Sequence, residues 1–294
     1  MDTGTEVNVM REGNLFEEDM NAIVAAMNAD NDEALMAASG QNVKQTGQKG
    51  LPRININYDA ETEDGKSLPR GSWKMYMDGR YIFAEEVVIR PILRTFEYSV
   101  WDQESGTFAS KSVQKTVLSG MFPDTNGGNK CGRLTRDEED RLSKDDVAYL
   151  NSRASSCNQI LYSKVSGTFK DADGNEVVLD NEPVVAYFKR SGFIPMNDFI
   201  NNLSKQNKVM QKCEILLGTS RHKKGSVTYW TPNPTLKGVV PEISADDKEL
   251  MAKFVETVKG HNETVMNQHR DAAKLLADDD DIDLAADFDN ANAA

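Results

Sequence analysis

The chain has 294 residues, of which 34 are basic and 47 acidic, and its formal net charge is -13. Residues 1–40 hold one basic and nine acidic residues and residues 241–294 hold five and fourteen, whereas residues 41–240 hold 28 basic and 24 acidic residues. The total charge argues against a nucleic-acid binder, but its distribution indicates a mildly basic body between two acidic ends.

The composition also indicates the cell compartment in which the protein is expected. No apolar run approaches the roughly 18 residues that a membrane span needs, and the acidic first 40 residues are unlike a secretory or organellar leader. The three cysteines, Cys131, Cys157 and Cys213, form no CxxC pair, which favours a reducing compartment. We therefore expect a cytoplasmic protein, in the host cytoplasm if it is viral, with no membrane partner.

The N-terminal segment is predicted to be separate from the body. Leu15–Ala38 places apolar residues at helical spacing among alanines and acids, which predicts one or two amphipathic helices. Ser39–Gly50 has the Gly, Gln and Lys content of a linker. Residues 1–50 are thus interpreted as an acidic helical segment and linker.

The first half of the body, residues 51–118, is predicted to consist mainly of strands. Apolar and polar residues alternate, and Asp78-Gly79 between two such runs predicts a type I′ hairpin turn. The longest run, VVIRPILRTFEYSVW, is rich in β-branched and aromatic residues and has no helical period. The predicted strands are Leu51–Tyr58, Trp73–Met77, Arg80–Phe83, Val87–Trp101 and Phe108–Leu118.

The second half mixes helices and strands. Thr135 and Glu138 have capping-box spacing and predict a helix through Leu150, and Pro195 predicts the start of a helix through about Met210. The loop Ser220–Gly225 is predicted between the last two strands. The predicted strands here are Cys157–Lys170, Glu176–Arg190, Cys213–Thr219 and Ser226–Trp230, and a long helix is predicted for Ala245–Leu276.

These elements predict a β-rich α+β fold. Three strands, a helix and two strands follow one another in the order of an OB-like Greek-key barrel, although other α+β sheets share this order. The predicted organisation is an OB-like nucleic-acid-binding body at residues 51–240 with an appended helix and hairpin, a C-terminal helix at 241–276, and an acidic flexible tail at 277–294.

Cations and aromatic residues recur on the predicted strand faces. By the two-residue period, Arg90, Arg94, Phe96 and Tyr98 share one face of the longest strand. A single-stranded nucleic acid needs this combination, because cations meet phosphates and rings stack on bases. The alternative is an ordinary solvated sheet face. Similar pairs on other strands are Lys74 with Tyr76, Lys111 with Lys115, Tyr162 with Lys164, and Tyr187 with Lys189.

The predicted loop SRHKKG adds a second candidate contact. Arg221, Lys223 and Lys224 lie at the tip of a predicted hairpin, just before Tyr229 and Trp230. Such a tip can lie along a phosphate backbone while the rings stack on a base. The alternative is an ordinary charged hairpin tip.

The acidic tail is the third candidate. Its carboxylates can imitate a strand and compete for a basic groove, and its apolar residues can bind partner proteins; the alternative is a solubilising tail. The residues assigned to partner binding are Asp278, Asp279, Asp280, Asp281, Ile282, Asp283, Leu284, Asp287 and Phe288.

An acidic tail with a late Phe behind a β-rich basic body resembles the single-stranded DNA-binding proteins of bacteria and bacteriophages. The segments LPRININYD, VVIRPILRTFEY and SRHKKGSVTYW are similar to those of phage replication-module proteins of this kind. Two features depart from the family pattern: six residues follow Phe288, and the acidic segment before residue 40 has no counterpart.

The resemblance implies an OB-type fold and sequence-independent binding of single-stranded DNA in replication, recombination or repair. It also implies recruitment of replication or recombination proteins through the tail. We expect no catalytic activity and no cofactor, and the sequence is compatible with a homo-oligomer. A structural or assembly protein, such as a virion or scaffold component, is the first alternative.

Enzymatic alternatives have weaker patterns. NGGNKCG lacks the GK[ST] ending of a P-loop, and DADGNE has its Gly at the wrong position for a calcium loop. A zinc site would need Cys131, Cys157, Cys213 and His222, which include no close ligand pair. A metal-dependent nuclease, the second alternative, would rely on Asp59, Glu61, Glu63 and Asp64, but these four lie in one turn, and a solvated turn explains them better.

Overall fold

The structure, a computed structural model, describes residues 50–102 and 104–291, with side chains through residue 275. The predicted helices at Leu15–Ala38 and the side chains of the predicted partner-binding tail lie outside the described residues. The chain divides between Gly50 and Leu51, and the fold below is that of the second unit.

Strands dominate the described body, which confirms the prediction of a β-rich fold. The Asp78-Gly79 turn is confirmed, because both residues have positive φ (49° and 82°) between two registered strands, as a type I′ turn requires. The strands are β1 (Arg53–Ile56), β2 (Trp73–Met77), β3 (Arg80–Ala84), β4 (Val87–Asp102), β5 (Thr107–Lys111), β6 (Ser156–Asp171), β7 (Glu176–Lys189), β8 (Cys213–Lys224) and β9 (Val227–Val239).

Five of these strands close into a ring in the order β1-β2-β3-β6-β7. All its pairs are antiparallel except β7 with β1, because an odd number of strands cannot alternate direction around a closed ring. The OB-like Greek-key order is not confirmed. In a Greek key the fourth strand returns beside the first, whereas here the fifth ring strand, β7, pairs with β1.

The sheet continues beyond the ring from β6 through β4 and β8 to β9, and β5 pairs with the end of β4. The pairing of β4 with β6 is interrupted once, between Pro91 and Leu93, so that Ile92 is an extra residue on β4. Proline has no N–H to donate and is confined within sheets to edges and bulges. Pro91 therefore accounts for the bulge in an otherwise central strand.

The ring encloses the main core. Trp73, Met75 and Phe169 are fully buried there, and the indole N–H of Trp73 donates to the carbonyl of Leu217 at 2.8 Å. The helix Phe193–Lys205 packs its buried Met196 and Ile200 against the same cluster. The donor of the large indole ring is thus satisfied inside the core, as a buried tryptophan requires.

Four α-helices in the described part of the chain accompany the sheet, and all three helices predicted there differ from their predicted bounds. The last, predicted to end at Leu276, continues to Ala291, into the segment predicted as a flexible tail. The capping box of Thr135 and Glu138 is confirmed, but the first helix ends at Glu139 because Ser143 and Asp146 bond to the local backbone instead. The helix predicted at Pro195 begins two residues earlier and ends before Asn207, whose φ is 54°. The helices are α1 (Arg136–Glu139), α2 (Val147–Ala154), α3 (Phe193–Lys205) and α4 (Ala245–Ala291), with 3₁₀ turns at Lys130–Gly132, Arg190–Gly192 and Met210–Lys212.

The last hairpin is longer than predicted. The predicted loop Ser220–Gly225 is mostly strand, since β8 continues through Lys224 and only Gly225 and Ser226 turn. β9 passes through Pro232 and Pro234, which fits its pairing with β8 alone, because an edge strand has a row of N–H groups that need no ladder partner. The prolines also protect this edge from pairing with another chain.

Helix α4 lies along β4 and β6. Phe254 is buried against Tyr162, with ring centroids 5.3 Å apart, and Asn262 exchanges hydrogen bonds of 2.6 and 2.9 Å with the backbone of Gln114. Farther along, His269 Nδ1 lies 2.9 Å from the carbonyl oxygen of Asp124. The helix therefore covers one face of the sheet from residue 247 to residue 269. No helix in the described part of the chain is both long and apolar enough to cross a bilayer.

Candidate nucleic-acid interface

Several residues predicted to bind nucleic acid belong to the core or to internal ion pairs. Phe96 is only 4% exposed and Tyr162 only 3%, so neither ring can stack on a base. Arg90 and Lys164 both contact the carboxylate of Asp247 on α4, at 2.5–2.7 Å for the two arginine nitrogens and 2.6 Å for the lysine. The predicted stacking of Phe96 and Tyr162 on bases is therefore wrong, and helix α4 covers the sheet face that carries Arg90, Tyr162 and Lys164.

The bulge after Pro91 removes Arg90 from the predicted shared face of β4 and leaves Arg94, Phe96 and Tyr98 together on it. Arg90 pairs with Lys164 on β6, whereas Arg94 pairs with Leu161, and these two partners point to opposite sides of the sheet. Arg94 accordingly lies against α3, where it donates to Asn197 at 2.6 Å and Asn201 at 3.1 Å. Inserting one residue reverses the alternation of all side chains beyond it.

Asp247 forms ion pairs with two cations of the body. Burial alone would raise the pKa of its carboxyl group, but hydrogen bonds from Arg90, Lys164 and Ser244 outweigh burial and hold the pKa well below its usual range. The carboxylate is therefore ionised throughout the neutral range and neutralises part of the charge of two predicted phosphate contacts.

Three further predicted lysines have partners on the protein. Lys74 pairs with Asp59 at 2.5 Å, Lys111 lies 3.9 Å from the centre of the Phe108 ring, and Lys115 donates to the carbonyls of Ser119 and Met121. Each remains partly exposed and thus keeps some capacity to meet a phosphate. They lie on different segments and form no common groove with Arg90.

Other predicted residues do come together on the outside of the ring. Tyr76 is 54% exposed and pairs edge-to-face with Tyr81 on β3, with centroids 5.0 Å apart. Extending the β1–β2 register by one residue sets Arg53 opposite Tyr76, and the Arg53 guanidinium carbon lies 4.3 Å from the centre of the Tyr187 ring. We call Arg53, Tyr76, Tyr81, Tyr187 and Lys189 the outer band.

The outer band leads to a recess at the end of the sheet, which we call the basic cleft. Its volume is about 750 Å³, and none of its described lining residues is acidic. Lys189, at the end of the band, is followed directly by Arg190, which lines the cleft. The four cations of the cleft are Lys130, Arg133, Arg153 and Arg190, and its other lining residues include Tyr98, Cys157, Phe193 and Ile194.

The cations of this region are crowded and incompletely neutralised. Burial lowers the pKa of Lys189, and the nearby charges of Arg190 and Arg53 lower it further. In the cleft, Glu139 lies 3.7 Å from both Arg133 and Arg153, which is too long for a charge-assisted hydrogen bond. Within the described part of the chain, Lys130, Lys189 and Arg190 have no carboxylate within 4.0 Å.

Backbone conformation at the cleft is unusual in two places. Lys130 and Cys131 have φ of 55° and 51°, and Arg190 has φ of 50°, in the left-handed region that few residues other than glycine adopt. Such conformations persist only where the surrounding structure holds them, and they cluster at functional sites. Here they present two of the four cations to the recess.

Two polar groups that titrate also line the cleft. Burial, reinforced by Cys157, raises the pKa of Tyr98 to about 12, and burial raises the pKa of Cys157 to about 11. Both groups are therefore neutral near pH 7 and offer hydrogen bonds rather than charge. Tyr98 also packs edge-to-face on Phe122, with centroids 5.0 Å apart, so its ring is held in place. Of the four residues predicted to share one face of β4, Tyr98 alone lines the cleft.

The predicted basic hairpin tip is present as a two-stranded arm. Arg221, Lys223 and Lys224 are exposed, but Tyr229 stacks on His222 with centroids 5.2 Å apart. Trp230 is partly buried, because its ring packs against Gly71 and Tyr58 donates to its carbonyl at 2.9 Å. The arm offers cations to a ligand, whereas its aromatic rings already have partners.

Nothing among the described residues suggests a metal centre, because no three His, Cys, Asp or Glu side chains there lie close enough together to hold an ion. Of the proposed zinc ligands, Cys131 and Cys213 are buried and Cys157 lies in the cleft. Asp59, from the proposed nuclease set, is paired with Lys74.

The four cations of the cleft, and Arg53 and Tyr81 of the outer band, were not predicted from the sequence. Lys130 and Arg133 follow a glycine-rich loop, Arg153 ends a short helix, and Arg190 follows a strand, so no strand period links them. The available signal was the absence of acids next to Lys189-Arg190 and around Lys130.

The chain matches no protein-family model, no curated protein and no solved structure.

Proposed function

We propose that the protein binds single-stranded DNA without sequence preference and without catalysing a reaction on it. The observation that carries this proposal is the basic cleft, in which four cations surround a recess of about 750 Å³ with no acidic lining residue among those described. A recess with this excess of positive charge is suited to an anionic ligand. Phosphate groups fit the forked donors of Arg133, Arg153 and Arg190.

The outer band supports a single strand over a duplex. Tyr76 and Tyr81 are more than half exposed, whereas the Tyr187 ring is partly buried between Arg53 and the cluster beneath α4. Bases must be unpaired before their faces can reach protein rings, and each stacked base contributes about 1–3 kcal/mol. The path of the strand on this proposal runs from Tyr81 and Tyr76 past Arg53 and Tyr187 into the cleft.

A small closed barrel that carries cations and rings on its outside is a scaffold that OB-type strand binders use. We propose the same use for this ring, with β1, β2 and β7 as the platform. The exposed arm cations, Arg221, Lys223 and Lys224, provide an additional contact for a longer strand. A role in phage replication, recombination or repair, in the cytoplasm of the host, belongs to the same proposal.

The acidic tail is proposed to compete with DNA for these cations and to recruit replication or recombination proteins. Deletion of residues 277–294 removes seven carboxylates, so we expect tighter binding of oligo-dT at low salt and a smaller difference at high salt, where charges are screened. Unchanged affinity at low salt in the truncated protein would contradict the competition.

The proposal is tested by titrating labelled oligo-dT with the full chain at several salt concentrations, with and without Mg²⁺. We expect log K to fall linearly with log salt, by about 0.7 for each phosphate neutralised, and the oligonucleotide to stay intact. Absence of binding at low salt would favour an assembly protein, and cleavage that requires Mg²⁺ would favour a nuclease. Either result would contradict the proposal.

A further inference from the structure

We infer that the basic cleft binds a terminal phosphate monoester, the phosphorylated end of a DNA strand, rather than an internal phosphodiester. This inference rests on the proposed function and concerns the same site. It follows from three properties of the cleft: its shape, its charge and the donors that its cations keep for a ligand.

The cleft is a recess whose walls come from four separate parts of the chain: Tyr98 on β4, residues 130–135, residues 153–157 and residues 190–194. A volume of about 750 Å³ lies within the range of sites for single small ligands. A strand that continued in both directions would need a way out of this recess as well as a way into it.

The charge of the cleft exceeds what one phosphodiester neutralises. Four cations line it, and two carboxylates lie beside it: Glu139, shared between Arg133 and Arg153, and Glu138, bonded to the lining Thr135. An internal phosphodiester carries one negative charge, whereas a phosphate monoester carries about 1.5 to 2 at pH 7 and has three strong acceptor oxygens. The monoester therefore matches the residual charge better.

The cations of the cleft have N–H donors that are available to such a ligand. Arg133 uses one terminal nitrogen on the carbonyl of Ser152 at 2.9 Å, and Arg153 contacts Glu139 only at 3.7 Å. Lys130 and Arg190 have no carboxylate within 4.0 Å in the described part of the chain. Planar guanidinium groups bind phosphate oxygens in pairs, so these donors can together satisfy three oxygens.

The test compares short oligo-dT strands that carry a 5′-phosphate, a 3′-phosphate or hydroxyls at both ends, by fluorescence anisotropy with an internal label. We expect one of the phosphorylated strands to bind about tenfold more tightly than the hydroxyl-ended strand, the effect of one added charge-assisted contact. dTMP is expected to compete with that strand better than inorganic phosphate does. Equal affinities for all three strands would overturn the inference and leave strand binding intact.

Two variants locate the effect. Lys130→Asn with Arg190→Asn removes two charges with a residue that tolerates the left-handed backbone, and Arg153→Gln removes one exposed charge from the end of α2. Both are expected to abolish the preference for the phosphorylated end. The matched control, Lys253→Gln with Lys259→Gln, removes two exposed charges from α4 and should retain the preference.

The outcomes separate this inference from the proposed function. A preference for the phosphorylated end that survives in both cleft variants would overturn the inference, because the end would be bound elsewhere. Binding of dTMP in the wild type, lost in the cleft variants, with no binding of any oligonucleotide would support a monoester site and contradict strand binding. Thermal unfolding of each variant shows whether it is folded before binding is compared.

Discussion

Gly71 is a residue at which backbone conformation and side-chain packing act together. Its φ is 84°, and a Cβ atom there would overlap the indole ring of Trp230. Gly71→Ala therefore combines a left-handed backbone cost of about 1–2 kcal/mol with overpacking of about 1–3 kcal/mol. We expect its free energy of unfolding in urea to fall by the sum of the two.

Gly79→Ala is the matched control, because Gly79 has nearly the same φ, 82°, with nothing within 4 Å of the added Cβ. The free energy of unfolding of Gly79→Ala should fall only by the backbone part, about 1–2 kcal/mol. The tryptophan emission, to which Trp73, Trp101 and Trp230 all contribute, should shift in Gly71→Ala and stay unchanged in Gly79→Ala. Equal losses of stability in the two variants would show that the contact with Trp230 has no energetic weight.

Asp247 is the residue that fixes the start of α4 to the sheet. Asp247→Asn leaves the charges of Arg90 and Lys164 without a carboxylate at a site where both side chains are 12–14% exposed. Removing one partner of a buried ion pair costs about 3–5 kcal/mol, and partial exposure places this case near the lower value. We expect a loss of about 3 kcal/mol in the free energy of unfolding at pH 7.

The same substitution has a pH signature. Because the pKa of Asp247 is lower in the folded protein than in the unfolded chain, its contribution is complete above the unfolded value of about 4 and is lost as the pH falls toward the folded value. The stability gap between wild type and Asp247→Asn should therefore be constant from pH 5 to 8 and narrow below about pH 4. A gap that widens on acidification would contradict the ion pair.

At the scale of elements, α4 is an integral cover of the sheet and not an appendage. Phe254 is 1% exposed and Leu275, on the same helix, is 70% exposed. Phe254→Ala should cost about 3–5 kcal/mol because it leaves a cavity over Tyr162, whereas Leu275→Ala should change stability by less than about 0.5 kcal/mol. Urea unfolding measures both.

Hydrogen exchange tests the same role of α4 locally. Amides around residue 254 should exchange faster in Phe254→Ala, as the helix opens more easily from the sheet. If Phe254→Ala were as stable as Leu275→Ala, with unchanged exchange, α4 would not be part of the folded unit.

The positions of individual strands could be predicted from the sequence more closely than the faces that their side chains share. The β2–β3 hairpin with its Asp78-Gly79 turn and the long β6 and β7 followed from local alternation and turn chemistry. The faces of β4 could not be assigned by counting residues, because the bulge reverses the alternation after Pro91. The proline was the one local sign that this central strand is interrupted.

For the whole molecule, the charge distribution was more informative than any single motif. It indicated a basic body, but it could not show that Asp247 folds back onto Arg90 and Lys164, which are distant in sequence. Nor could it reveal the cleft, whose cations come from a turn and the residues after it, the end of one helix and the end of one strand. Contacts between distant segments determine which cations remain exposed, and strand periodicity contains no information on them.

The measurement that tests the proposed interface most directly is ultraviolet cross-linking of oligo-dT to the full chain, followed by identification of the modified residues. We expect adducts on the outer band and at the mouth of the cleft, at Tyr76, Tyr81, Tyr187 or Tyr98, and their loss at high salt. Adducts confined to Tyr229 and Trp230 of the β8–β9 arm, or no adducts at any salt concentration, would contradict it.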